Sequence, residues 1–318
     1  MRGKRRNSPE LPDASAGTPE ERRERARQDF TFFRRAYFPH YCLVGGDSRL
    51  HEWLDTELPR MADAPEGVRL AIAAPRGEAK STFVSLFFVL WAVLTGRKHY
   101  ILIIADALEQ AASLLGAVKD ELEFNEALKR DFPGAGKGHV WNVGTVVTPG
   151  NVKIQALGAG KRMRGLRHGP HRPDLIVLDD LENDGNVDKP EQRDKLQSWL
   201  QKTVLNLGAA DGSMDVVYVG TLLHYDSVLA RTLRKPLWKA RTFRSILRWP
   251  DRMDLWDEWE SLLSSRGEAE ARRFYRQHRV KMEAGAEVSW PASRPLYRLM
   301  CLRAEDREAF DSEQQNDP

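Results

Sequence analysis

Read for periodicity, the chain changes character at Val68. Upstream, polar residues run to about residue 28 and end in the helix-forming stretch PEERRERARQDF. Aromatic and leucine spacing from Phe30 to Met61 then predicts helices broken at Pro39 and Gly45-Gly46. From Val68 onward, short β-rich runs alternate with helical stretches, the pattern of an α/β sheet with crossover helices. The strands expected are Val68–Ala74, Tyr100–Ala105, Val152–Leu157, Leu175–Leu178 and Val216–Gly220, with Val140–Thr148 and Val152–Leu157 flanking a Pro-Gly-Asn turn as a hairpin. The helices expected are Lys80–Leu94, Leu108–Leu128, Pro190–Leu205 and Ser227–Arg234. Past Trp249 the chain is Trp- and Arg-rich and helical, and it closes on the polar tail DSEQQNDP. Three units follow: a flexible basic arm over 1–28, an α/β domain over 29–248 and a helical extension or linker over 249–318.

Composition narrows the class. With 41% hydrophobic residues the 318-residue chain has enough apolar mass for a sizeable core. Two cysteines, Cys42 and Cys301, exclude a disulfide framework. The longest apolar run, Thr82 to Leu94, is too short to span a bilayer, and the basic N-terminus lacks the apolar core of a signal peptide.

The most informative segment is LAIAAPRGEAKST, Leu70 to Thr82. An apolar strand runs into a tight loop and then into a helix that opens on Lys80-Ser81. That is the context a phosphate-binding loop requires, with backbone N–H groups and a helix N-terminus facing an anion. Lys80 would reach the terminal phosphates and the Ser81 hydroxyl would face Mg²⁺. The loop departs from G-x-x-x-x-G-K-[ST], because Ala74 and Ala79 stand at the glycine positions and Gly77 is its only glycine. A second candidate, Pro133 to Gly138, is set aside: Asp131 replaces the first glycine, His139 follows where a hydroxyl is needed, and the flanking elements are reversed.

Further on, the apolar run Leu175 to Leu178 ends in Asp179-Asp180. Acids at the carboxyl end of a buried parallel strand lie where α/β sheets place ligand chemistry. Asp179 would hold Mg²⁺, and Asp180 would orient and deprotonate the attacking water. A glutamate is common at the second position in such ATPases, so Glu182 is a competing base. A third strand ends in Gly220-Thr221, where a hydroxyl is suited to sensing phosphate.

Together, APRGEAKST, LIVLDDLEND and VVYVGTLLH resemble the divergent Walker A, Walker B and coupling motifs of the ATPase motor of the large terminase subunit of tailed bacteriophages. The resemblance runs from about Phe32 to Pro318. It implies an α/β P-loop NTPase fold of the ASCE type, with a mainly parallel sheet flanked by helices and a small helical C-terminal extension. It implies ATP and Mg²⁺ as cofactors, bound by Pro75, Arg76, Gly77, Glu78, Ala79, Lys80, Ser81 and Thr82, with Ser81 and Asp179 on the metal. Arg76 would stabilise the transferring phosphoryl group in cis, Asp180 would stand at the catalytic acid position, and Gly220 and Thr221 would couple. A neighbouring subunit would add an arginine, for which Arg164 is the candidate and Arg162 and Arg167 compete. The implied partners are double-stranded DNA, a small terminase subunit and a portal protein. The setting is a homo-oligomeric ring on a procapsid in the cytoplasm of an infected bacterium, with no membrane. The family's nuclease domain would begin where this chain ends.

Formal charges, 49 Lys+Arg against 46 Asp+Glu, leave +3. This near-balance conceals segregation. No acid occurs between Phe132 and Pro173, or strictly between Asp226 and Asp251, while acids crowd Asp174 to Asp194. The second basic stretch, with Arg241, Arg244 and Arg248, suits sequence-independent contact with DNA phosphates. A helicase-like DNA-dependent ATPase and a non-catalytic nucleotide-binding assembly module are the competing readings.

Overall fold

In the computed structural model, which describes residues 17–42 and 44–318, three helices come first: α1 (Pro19–Gln28), α2 (Phe30–Tyr37) and α3 (Arg49–Ala62). Strand β1 (Arg69–Ala73) leads through the loop 74–79 into a helix that is π-wound over Thr82–Phe88 and becomes α4 at Val89–Leu94. There follow β2 (Tyr100–Ala105), α5 (Leu108–Phe124), α6 (Glu126–Asp131), β3 (Val140–Trp141), β4 (Thr145–Val147), β5 (Lys153–Gly158) and β6 (Leu175–Asp179). Next are α7 (Asp184–Val187), α8 (Pro190–Lys202), β7 (Asp215–Gly220), α9 (Val228–Leu233), β8 (Lys239–Thr242) and β9 (Ile246–Arg248). The chain ends with α10 (Met253–Arg266), α11 (Glu268–Glu283), β10 (Glu287–Val288), α12 (Leu296–Glu305) and α13 (Arg307–Gln315).

Strands β2, β6 and β7 are buried along their whole length, as near-continuous apolar runs should be when both faces of a parallel sheet are covered. Their side chains divide by strand alternation. Ile101, Ile103, Val177, Val217 and Val219 pack under α1–α5 and the π-wound helix. Tyr100, Leu102, Ile176, Leu178, Val216 and Tyr218 pack toward α8 and α9. The sheet runs β3-β4-β5-β2-β6-β7-β1-β8, parallel from β5 to β8 and antiparallel at β3 and β4. Strand β7 therefore lies between β1 and β6. This is the α/β P-loop NTPase arrangement expected, and it aligns the carboxyl ends of the three motif strands.

Three sequence expectations need correcting. Of the flexible arm assigned to 1–28, residues 1–16 lie outside the described residues, but α1 is docked: the indole of Trp91 donates to the Ala26 carbonyl at 2.7 Å, and Arg22 pairs with Asp131. Strand β8 was missed because KART has no apolar alternation; its four residues are exposed, and backbone pairing with β1 alone makes it a strand. The polar tail expected to close the helical extension or linker forms α13 and returns to the sheet, with Gln314, Gln315 and Asn316 buried. Its amides are satisfied by strand-end backbone: the Asn316 side chain accepts from Leu222 N–H at 2.8 Å and donates to the Phe243 carbonyl at 2.8 Å. Helices α10–α13 have a core of their own, built on Trp256, Trp259, Leu299 and Phe310.

Candidate nucleotide site

Parallel strands present their carboxyl ends to one edge, and the loop after β1 turns there with two residues in left-handed backbone, Gly77 (φ 80°) and Ala79 (φ 54°). Ala74 N–H donates to the Gly220 carbonyl at 2.9 Å, so the loop leaves the sheet still tied to β7. Lys80 opens the following helix. Its side chain is buried, and its Nζ lies 3.1 Å from Thr221 Oγ1 and 3.3 Å from Asp180 Oδ2. Thr221 N–H in turn donates to Asp180 Oδ1 at 3.2 Å. Thus one residue from each of the three motifs meets at one point.

Beside this triad, the Asp179 carboxylate is almost fully buried and accepts from two hydroxyls, Ser81 Oγ at 2.9 Å and Ser85 Oγ at 2.5 Å. Burial, and then the neighbouring Asp180 charge, push the Asp179 carboxyl up to about 6. A buried carboxylate beside a second carboxylate, with hydroxyls as its hydrogen-bond donors, suits a hard cation that takes one protein carboxylate and leaves its other positions to water and phosphate. No group of three or more His, Cys, Asp or Glu that could hold a metal ion occurs among the described residues. Asp180 adopts φ 46°, a left-handed conformation that aspartate tolerates better than most residues.

The two acids proposed as competing bases separate clearly. Asp180 stays in the triad. Glu182 is half-buried and accepts from Val228 N–H at 2.8 Å, Leu229 N–H at 3.2 Å and the Tyr218 hydroxyl at 3.3 Å. Burial raises its pKa and those bonds oppose the rise. It caps the start of α9. Arg76 is directed outward: its guanidinium pairs with Glu313 at 3.0 Å and its N–H donates to the Glu313 carbonyl at 2.9 Å. Gly220 ends β7 with its Cα close to Asp180, and a Cβ there would meet Asp180 Oδ1 at 3.3 Å.

Arg164, with Arg162 and Arg167, sits on an exposed loop after β5 and makes no ion pair among the described residues. Arg241, Arg244 and Arg248 are exposed and likewise unpaired among the described residues. Arg241 and Arg244 flank a shallow groove floored by Trp53 and Phe243. The rejected glycine-rich segment 133–138 is a surface turn that leads into β3.

Sequence reasoning missed several contributors. Ser85 was findable, since it stands four residues after Ser81 on the same helix. His51 was not: its Nδ1 accepts from Ser48 N–H, which leaves Nε2 to donate to the Glu78 carbonyl at 2.9 Å, while its ring stacks on Phe83 at 4.2 Å. Glu78 itself is buried, with Ser289 Oγ 3.2 Å from its carboxylate, and burial raises its pKa.

Among solved structures the chain is similar to the ATPase domain of the large terminase of Thermus phage P74-26. One structure of that domain aligns over 82% of this chain and 92% of its own, at 15% identity and a TM-score of 0.40. A variant with arginine replaced by alanine aligns over 80% and 90%, at 14% identity and a TM-score of 0.39. No protein-family model and no curated protein matches the chain.

Proposed function

We propose that the chain is an ATP-hydrolysing motor of the large-terminase kind, which moves double-stranded DNA into a procapsid. The observation that supports it most is the meeting of Lys80, Asp180 and Thr221 beside the Ser81–Asp179 pair. Phosphoryl transfer asks little covalent chemistry of a protein; it asks for positioning and for positive charge near the terminal phosphate. Loop amides and Lys80 hold the phosphates. Mg²⁺, held by Ser81 and Asp179, would neutralise charge on the phosphate oxygens. Asp180 orients water and accepts its proton. Lys80 contacts Asp180 and Thr221, so a phosphate bound at Lys80 would compete with both contacts. Arg164 from a neighbouring subunit is the candidate for the second cation, consistent with its exposed, unpaired state among the described residues. Arg241, Arg244 and Arg248 are the candidate DNA contacts. A small terminase subunit and a portal are the corresponding protein partners, in the cytoplasm of an infected bacterium.

Steady-state ATP turnover with and without duplex DNA tests the proposal. Lys80→Ala is expected to lower kcat by at least about 10²-fold with little change in thermal midpoint. Wild-type turnover that is absent, or indifferent to Lys80, would leave only a non-catalytic module. Alanine at Arg241, Arg244 and Arg248 together is expected to weaken DNA stimulation and flatten its salt dependence by about one to three phosphate contacts. Unchanged stimulation would exclude this stretch as the DNA track.

A further inference from the structure

The outer side of the phosphate loop carries a second constellation, drawn from the far end of the chain. Gly77 is in left-handed backbone, and a Cβ on it would lie 1.9 Å from Arg294 Nη2 and 2.8 Å from its Cζ. The guanidinium therefore lies directly against the glycine. Its Nη1 donates to Gln314 Oε1 at 2.5 Å. Gln314 is fixed in turn, because Ser245 N–H donates to its carbonyl at 2.8 Å and Ser245 Oγ lies 3.1 Å from its Oε1. Next to it, Glu313 neutralises Arg76. Arg294 has no such neutralisation: it is half-buried and makes no ion pair among the described residues. Burial lowers its pKa, with Glu78 and Glu313 near enough to oppose that.

We propose that Arg294 is a positioning residue of the nucleotide site, acting in cis from the C-terminal helical module by bracing Gly77 and placing a guanidinium against the phosphate-binding loop. This rests on the reading of the site as an ATPase. A phosphate loop works by aiming N–H groups at an anion, and a loop that must first be ordered loses binding energy in the ordering. Gly77 suits the contact because it holds φ 80°, which glycine adopts without strain, and has no Cβ to push the guanidinium away. Arg294 is needed because a planar fork can lie flat on the glycine while one nitrogen bonds Gln314; an ammonium cannot do both.

The test is ATP kinetics together with amide exchange of the nucleotide-free protein over residues 76–80. Arg294→Ala is expected to raise KM for ATP about tenfold with kcat within about threefold, the signature of lost ground-state positioning. Gln314→Ala should act in the same direction, and the double variant should add little to either single change. Loop amides should exchange about tenfold faster in Arg294→Ala, and Arg294→Lys should not restore the protection. Wild-type KM and wild-type exchange in Arg294→Ala would overturn the proposal, as would a fall in kcat with KM unmoved. Should the wild-type chain prove unable to turn over ATP, the ATPase reading fails on that result alone. Exchange at residues 76–80 then still decides whether the brace exists.

Discussion

The two faces of one six-residue loop are built on different plans. The face toward the proposed phosphates draws on residues at the ends of neighbouring strands, each announced by a local pattern: Lys80 and Ser81 after β1, Asp179 and Asp180 at the end of β6, Thr221 after β7. The face away from the phosphates is assembled from His51, Ser289, Arg294, Glu313 and Gln314, which share no motif and come from helices and loops remote in sequence. The inner face holds charges that are only partly compensated, as a site that must exchange partners requires. On the outer face, by contrast, His51, Glu78, Arg76 and Gln314 are each tied to a fixed partner. Chemistry is thus placed by the sheet, and precision by the elements packed behind it.

The sharpest way to break this contrast is to compare two acids two residues apart. Asp180 belongs to the inner face. Glu182 caps α9. Asp180→Asn is expected to lower kcat by about 10²-fold or more with the fold intact, because the change removes a proton acceptor. Glu182→Gln should keep turnover within about threefold, yet lower stability by about 1–2 kcal/mol as a charge-assisted cap becomes neutral. Loss of turnover in Glu182→Gln at unchanged stability would move the base to Glu182 and blur the division.

A support far from the loop sharpens the same comparison. Asp131 is fully buried and accepts from Arg22 Nε at 2.7 Å, Arg130 Nε at 2.9 Å and the Tyr37 hydroxyl at 2.8 Å, joining α1, α2 and α6. Burial would raise its pKa, but those bonds outweigh burial and hold it well below the usual carboxylate range. A depressed folded value means the stabilisation is complete above the unfolded value and is lost as pH falls through the folded one. Asp131→Asn is therefore expected to cost about 2–4 kcal/mol at neutral pH. In denaturant melts the gap from wild type should stay constant above about pH 5 and close below about pH 4. KM for ATP should not move, since Asp131 supports helices and not the loop.

How much of this was legible follows from where each contact draws its residues. The strands were legible because burial on both faces demands unbroken apolar runs such as YILIIA and LIVLD, and their boundaries fall within a residue or two of those expected. The inner face was legible because strand ends put chemistry next to the apolar run that precedes it. The capping role of Glu182 was not legible because an acid after a strand looks the same whether it receives a proton or caps a helix; its contacts with the N-terminus of α9 appear only in the fold. The docking of the tail was not legible because FDSEQQNDP is polar after Phe310, and its polarity serves strand-end backbone rather than water. Arg294 had no signal at all: its meaning lies in Gly77, more than 200 residues earlier.

The smallest effect falls on the residue that joins the two faces. Ala79 holds φ 54°, a conformation that costs an L-residue with a Cβ about 1–2 kcal/mol. Glycine would remove that strain but would lose about 0.5–1 kcal/mol more chain entropy on folding. Ala79→Gly is thus expected to stabilise the protein by about 0.5–1 kcal/mol in denaturant melts. Its effect on ATP depends on what holds the loop. With Arg294 and His51 in place, the freer residue remains pinned and KM should stay within about twofold. In an Arg294→Ala background the same glycine should raise KM further, because the brace on Gly77, two residues away, is then gone. A KM raised equally in both backgrounds would mean that Ala79 orders the loop by its own backbone, and that the outer face is packing rather than a brace.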